Sequence, residues 1–294
     1  MGYRTIAVTV DGPVATVTLN RPEKRNAISA ELRDELEAAF AALKPGDDVR
    51  VIRLRGAGAG FCSGYDLTST ASVYSGVADA APPRAGGDRP APAGLGESAA
   101  VRDRERLRES IERWLFLWQY RKPVVAQVHG ICLAGGLDLL GVCDLAYAAD
   151  DALFGHPAAR GLGIPPTLGM LPMRIGAART KELLFTGDPI DAHEAYRIGL
   201  VNKVLPPDEL DARTMALCRR IAHTPLDALT LHKHVVNRWS EVMGLREAAL
   251  AGAEFDALFH LTAASAEFGR IVKAEGVRAA LAWRDADFDA DPPR

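Results

Sequence analysis

The stretch "CLAGGLDLLGVCD", Cys132 to Asp144, places two adjacent glycines at the head of a leucine-rich helix, with the carboxylate of Asp138 close behind them. An apolar run, "PVVAQVHG" (Pro123 to Gly130), leads into it and reads as a buried strand. Glycine at a helix start costs backbone entropy and packs nothing, so a doubled glycine there asks for a reason. A second turn, "GAGAGFCSGYDL" (Gly56 to Leu67), has the same character and follows the strand "VRVIRLRG" (Val49 to Gly56). Its G-x-G-x-G spacing, with Phe61 next and no following Lys-Ser, is not a nucleotide fingerprint. Two readings stand for the pair of turns. The glycines permit tight turns and nothing more, or each keeps one amide bare so that two N–H groups converge on a developing oxyanion.

Working outward, the first 20 residues read as a hairpin, "TIAVTV" and "VATVTL" around "DGP", with Ala15, Val17 and Leu19 on one face. Ser29 is placed to cap a helix carrying Leu32, Leu36, Phe40 and Leu43. A helix is expected over "RERLRESIERWLFLWQY", two short strands over "LAYAADDALFG", and mainly helix from about Thr180 onward. This alternation followed by a helical tail argues an α/β fold with helices packed on sheets. Residues 69–100, rich in Ala, Pro, Gly and Ser, lack the large apolar side chains that a core needs and read as a mobile insert. No internal sequence repeat is visible.

The 294 residues suffice for a large buried core, with 48% hydrophobic and 25% charged residues. A formal net charge of -3 gives no electrostatic case for nucleic acid or an anionic membrane. No apolar run is long enough to span a bilayer, and the start lacks the pattern of a secretion signal. Cys62, Cys132, Cys143 and Cys218 show no paired spacing and read as buried, reduced residues of a cytoplasmic protein. His129 reads as a structural turn residue and so does His156, with a general acid/base role near neutral pH as the alternative for His156, while His232 and His234 point apart on a helix and make a poor metal site. No nucleophile motif and no metal site is expected.

Five blocks in order, "NRPEKRNAIS", "GAGAGFCSGYDL", "VHGICLAGGLDLLGVCDLAYA", "TGDPIDAHEAYRIGLVNKVLP" and "EGVRAALAWRDADF", resemble the successive signatures of the crotonase (enoyl-CoA hydratase/isomerase) family. The resemblance covers nearly the whole chain except the insert. It implies an α/β crotonase-type ββα spiral core over residues 1–200 and a C-terminal helical region over 201–294 used for trimers or stacked trimers. It implies a CoA thioester substrate, no cofactor, and two backbone amides that polarise the thioester carbonyl. Carried over by position, those amides belong to Tyr65 and Gly135. The CoA moiety would lie along Lys24, Arg25 and Ala27 and along Ser63, Asp66, Leu67 and Thr68.

Family hydratases carry a glutamate where this chain has Asp138, which makes Asp138 the candidate acid/base. They carry a second glutamate in the block "FGHPAARGLGIPP", where this chain has Ala158. Other members place an aspartate slightly later, where this chain has Thr167. Hydration of an enoyl-CoA leads, while decarboxylation or C–C hydrolysis of a β-oxo or malonyl-type thioester needs fewer carboxylates and stays open. So does a non-catalytic acyl-CoA-binding protein. For the Tyr65 side chain, packing beside the pantetheine is the expected role, with donation of a proton or hydrogen bond by its hydroxyl as the alternative.

Overall fold

The computed structural model describes residues 2–67, 98–164 and 170–291. Two parallel-rich sheets organise it. The first runs β1 (Ile6–Asp11), β2 (Val14–Leu19), β3 (Val51–Gly56), β5 (Val124–Val128), β7 (Leu145–Ala149) and β10 (Lys203–Leu205), in that spatial order. The second runs β4 (Gly60–Cys62), β6 (Ile131–Leu133), β8 (Leu153–Gly155) and β9 (Ile190–Asp191). Only the β1–β2 hairpin and the β8–β9 pair are antiparallel; every other pairing is parallel. The strand β5 is wholly buried, which explains why its sequence reads as a nearly continuous apolar run rather than an alternating one, while β3 carries Arg53 and Arg55 between its buried Ile52 and Leu54.

Three times the chain leaves a strand of the first sheet, bends over a few residues, and adds a strand to the second: β3 to β4, β5 to β6 and β7 to β8. The geometry repeats although the sequence does not. Each bend delivers the chain to one edge of the second sheet, and the two glycine turns lie just beyond β4 and β6. That placement brings two distant segments together.

Ten helices complete the described residues: α1 (Ala30–Leu43), α2 (Ala99–Trp118), α3 (Gly135–Gly141), α4 (Met170–Thr186), α5 (Ala192–Arg197), α6 (Pro207–Ile221), α7 (Leu226–Val242), α8 (Leu245–Phe259), α9 (Ala263–Glu275) and α10 (Val277–Ala290). Ser29 caps α1 as its sequence position predicts, accepting from the Leu32 amide at 3.2 Å. The core gathers Leu32, Leu36 and Phe40 of α1, Ile111, Trp114 and Leu115 of α2, and the inner residues of β2, β3 and β5.

One expectation needs correction. Ser98 caps α2, accepting from the Val101 amide at 3.3 Å, so Ser98 to Ala100 belong to a helix start rather than to the insert. The rest of that segment, 69–97, lies outside the described residues, as do Thr68 and Thr167. The stretch after Thr180 is mainly helical, as expected, and within it the short β9 and β10 extend the second and first sheets. Strands of two and three residues leave no periodicity to read. All four cysteines are buried and free, as expected.

Candidate active site

Gly64 and Gly135 meet. Gly64 has φ of 104°, a left-handed conformation that side chains rarely adopt. A Cβ there would stand 2.8 Å from the Ala134 Cβ and 3.2 Å from the Gly135 nitrogen. Ala134, the residue before α3, holds φ of 49° and ψ of −119°, strain of the sort that costs roughly 1–3 kcal/mol and clusters at functional sites. The Ala134 amide donates to the Gly155 carbonyl at 2.9 Å, pinning this turn to β8. The Gly64 carbonyl accepts from the Ile28 amide at 2.8 Å and the Asp66 amide donates to the Ile28 carbonyl at 3.0 Å, which fixes the other turn. Between these anchors the Tyr65 amide pairs with no acceptor among the described residues, nor does the Gly135 amide, whose place at the first helical position leaves it without a partner in α3. Two N–H groups without an acceptor among the described residues therefore belong to turns that meet, and they are those of Tyr65 and Gly135.

Asp138 lies in the first turn of α3 and is 1% exposed. The Tyr65 hydroxyl donates to its Oδ2 at 3.3 Å, and the Trp114 Nε1–H donates to the Tyr65 hydroxyl at 2.8 Å. His156 Nε2 lies 3.9 Å from Asp138 Oδ1. Burial holds the Tyr65 phenol well above its ordinary range, and the Asp138 carboxylate pushes it the same way. Burial also drives His156 down to about 4, so its imidazole is neutral near pH 7. Neither ring nitrogen of His156 finds a hydrogen-bond partner among the described residues. Cys62, directly before this turn, is pushed up to about 12 by burial and is no thiolate nucleophile.

Ala158 occupies a short 3-10 turn, Pro157–Arg160, two residues beyond His156. It packs with Leu67, Leu162, Phe268 and Ile271, an apolar wall contributed largely by α9. The described side chains of that cluster are all apolar, and the buried carboxylate of Asp256 accepts from the Ile164 amide at 2.7 Å. Arg160 turns away, bonding the Thr186 carbonyl at 2.7 Å and Asp188 at 2.5 Å, with its guanidinium 4.2 Å from the Phe288 ring centroid.

Lys24 and Arg25 are exposed and Ala27 is buried. The Ser63 amide donates to the Arg25 carbonyl at 3.0 Å, so the two candidate CoA-binding segments run together. Asp66 accepts from Arg21 at 2.9 Å, and Leu67 joins the apolar wall. His129 Nε2–H donates to the Gly58 carbonyl at 2.8 Å, the structural role expected of it. His232 and His234 are exposed, and no cluster of three or more metal-ligating side chains exists among the described residues.

Two contributors escaped the sequence. Asn26 is fully buried, and its Nδ2 donates to the Ala57 and Gly60 carbonyls at 2.8 and 2.9 Å, bracing the first turn. Trp114 sits at a core-facing helical position where an aromatic reads as packing, and nothing in the spacing betrays its bond to Tyr65. The Tyr65 hydroxyl likewise does more than pack.

The enoyl-CoA hydratase/isomerase family model matches residues 9–82 and 85–289. The chain is 40% identical over 260 residues to the EchA13 protein of Mycobacterium tuberculosis, covering 85% of this chain and 77% of that one. It is 33% identical over 241 residues to a crotonyl-CoA hydratase of Syntrophomonas wolfei, covering 81% and 83% of the two chains. A crystal structure of an enoyl-CoA hydratase from Mycobacterium smegmatis superposes with a TM-score of 0.84 at 31% identity, over 99% of this chain and 97% of that one.

Proposed function

The chain belongs to the enoyl-CoA hydratase/isomerase family, with the crotonase fold, and from that premise we propose that it adds water across the double bond of an enoyl-CoA. One observation carries the reading: the Tyr65 and Gly135 amides, neither with an acceptor among the described residues, belong to two turns that meet at Gly64 and Gly135, with Asp138 buried in the first turn of α3. The thioester oxygen rests between the two N–H groups. As water bonds to the β-carbon, electron density moves to that oxygen, and donors already in place stabilise it by about 3 kcal/mol each. Asp138 takes the proton of the attacking water. The exposed cations Lys24 and Arg25 are assigned to the CoA phosphates, with Ala27, Ser63, Asp66 and Leu67 on the adjoining segments; Thr68, next in sequence, belongs to the same candidate set and lies outside the described residues. The substrate is a CoA thioester and no cofactor takes part.

We also take the chain to assemble as a homotrimer or a dimer of trimers. Supporting this, α7 leaves Leu231, Val235, Val236, Trp239 and Val242 exposed on a helix that would otherwise face water. No helix among the described residues is long and apolar enough to cross a membrane.

The test is the loss of conjugated-thioester absorbance with crotonyl-CoA and a longer enoyl-CoA, run beside malonyl and β-oxo thioesters. Turnover of the enoyl substrates, falling about 10³-fold in Asp138→Asn while thioester binding persists, is expected. Turnover confined to the malonyl or β-oxo compounds would move the reaction to decarboxylation or C–C hydrolysis, a shift that the apolar surroundings of Ala158 would then explain. Binding without turnover of any of them would make the chain an acyl-CoA-binding protein.

A further inference from the structure

Hydration needs two proton movements, one off the water and one onto the α-carbon. The described side chains packed around Ala158 are apolar, and the buried carboxylate of Asp256 on α8 is held by the Ile164 amide at 2.7 Å and faces His260. His156 stays neutral and buried. Tyr65, in contrast, has a hydroxyl in direct contact with Asp138 and a ring lying across the residue whose amide takes the thioester oxygen. A Cβ on Gly135 would stand 2.8 Å from Cδ2 and Cε2 of that ring and 3.1 Å from Cζ, the atom that bears the hydroxyl. Following the ring edge outward from Gly135 therefore leads from the oxyanion hole to the phenolic oxygen.

We propose that the Tyr65 hydroxyl is a second proton carrier of this site, delivering the proton to the α-carbon, and that the Trp114 indole positions it. The inference rests on the hydratase reading. The step closes as follows. The water oxygen bonds to the β-carbon as its proton passes to the Asp138 carboxylate, and the π electrons move into the thioester enolate. The enolate collapses, its α-carbon forming a C–H bond with the Tyr65 hydroxyl proton. The phenoxide left behind recovers a proton from the Asp138 acid across the 3.3 Å contact. Carboxylate and phenol end as they began, and one water has been added.

Trp114 fits the positioning role because an indole N–H only donates. At 2.8 Å it obliges the Tyr65 oxygen to accept, which leaves the phenol's own proton free to point toward Asp138 or the substrate. The rings are held edge to face, centroids 6.5 Å apart at 61°. The indole donor and the nearby Arg33 cation of α1 both favour phenoxide, whereas burial and Asp138 oppose it. Donors chained in this way reinforce one another in a dry site.

Tyr65→Phe keeps the backbone amide and the ring and removes only the hydroxyl; Trp114→Phe keeps an aromatic filler and removes only the donor. Crotonyl-CoA hydration is followed in heavy water, reading kcat, KM and the face of the α-carbon that acquires deuterium. Tyr65→Phe is expected to lower kcat about 10²-fold or more at little-changed KM, and to spread deuterium over both α-faces where the wild type labels one. Trp114→Phe is expected to lower kcat roughly tenfold with partial loss of facial selectivity. Tyr65→Phe with wild-type kcat and single-face labelling overturns the proposal and leaves the hydratase reading intact. A wild type that hydrates no enoyl-CoA overturns both. Should Tyr65→Phe fail to bind thioester, Trp114→Phe decides: unchanged kcat and labelling would count against the relay.

Discussion

Two walls of the site are built from neighbouring residues and differ in kind. On one, Gly64 and Gly135 keep two amides bare while Trp114, Tyr65 and Asp138 form a hydrogen-bonded line beside them. On the other, starting only two residues from Tyr65 at Leu67 and two from His156 at Ala158, the side chains are apolar and pack against Phe268 and Ile271 of α9. Family hydratases are expected to carry a carboxylate on each wall. Here proton traffic has one wall to use. The difference teaches that the oxyanion hole and the acid/base groups are separable parts of one fold: the first is written in backbone conformation, the second in replaceable side chains.

The contrast breaks most severely at Gly64. Gly64→Ala would force a Cβ at φ of 104° to within 2.8 Å of the Ala134 Cβ, prising the two turns apart. Loss of one hole donor by displacement is expected to lower kcat about 10²–10³-fold, measured with crotonyl-CoA. An unimpaired variant would mean that the two amides do not act together.

His156 supplies the next test, through pH. A buried neutral histidine whose folded value is about 4, against an ordinary 6.5, binds fewer protons folded than unfolded in that window. Its stabilising effect is complete above pH 6.5 and is lost as pH falls from 6.5 toward about 4. The gap corresponds to roughly 3 kcal/mol. Asp256, raised by burial to about 6, titrates in the opposite sense, so the quantity to compare is the difference between wild type and His156→Asn in denaturant unfolding across that range. Parallel stability curves for the two proteins would show that His156 does not titrate as a buried group.

The smallest expected effect restores the missing acid. Ala158→Glu puts a longer, ionisable side chain into the cluster of Leu67, Leu162 and Phe268, and overpacking of this order costs about 1–3 kcal/mol. A lowered denaturation midpoint with no gain in hydration is predicted. Faster hydration would mean that the second wall is ready for a carboxylate and merely lacks one.

Much of the reactive wall was legible because its signals are local. Doubled glycine at Gly135 and Gly136, the glycine before Tyr65, and Asp138 in the following turn all announce themselves within a few residues. So did Ser29, whose cap is a matter of spacing. What stayed hidden depends on contacts far apart in sequence. Trp114 and Tyr65 are 49 residues apart and belong to different elements, so their bond leaves no periodic mark. The strands β9 and β10 are too short to show a period, and the start of α2 at Ser98 adjoins a segment whose composition resembles a linker. The burial that silences His156 comes from packing that no single stretch encodes.

The pH dependence of kcat for crotonyl-CoA hydration tests the one-walled site most directly. With Asp138 the sole carboxylate at work and the Tyr65 phenol held well above its ordinary range, kcat should rise with the ionisation of one acid and then stay level to about pH 9. A bell-shaped profile, falling between about pH 6 and 9, would require a second acid titrating in that range, and would contradict the account.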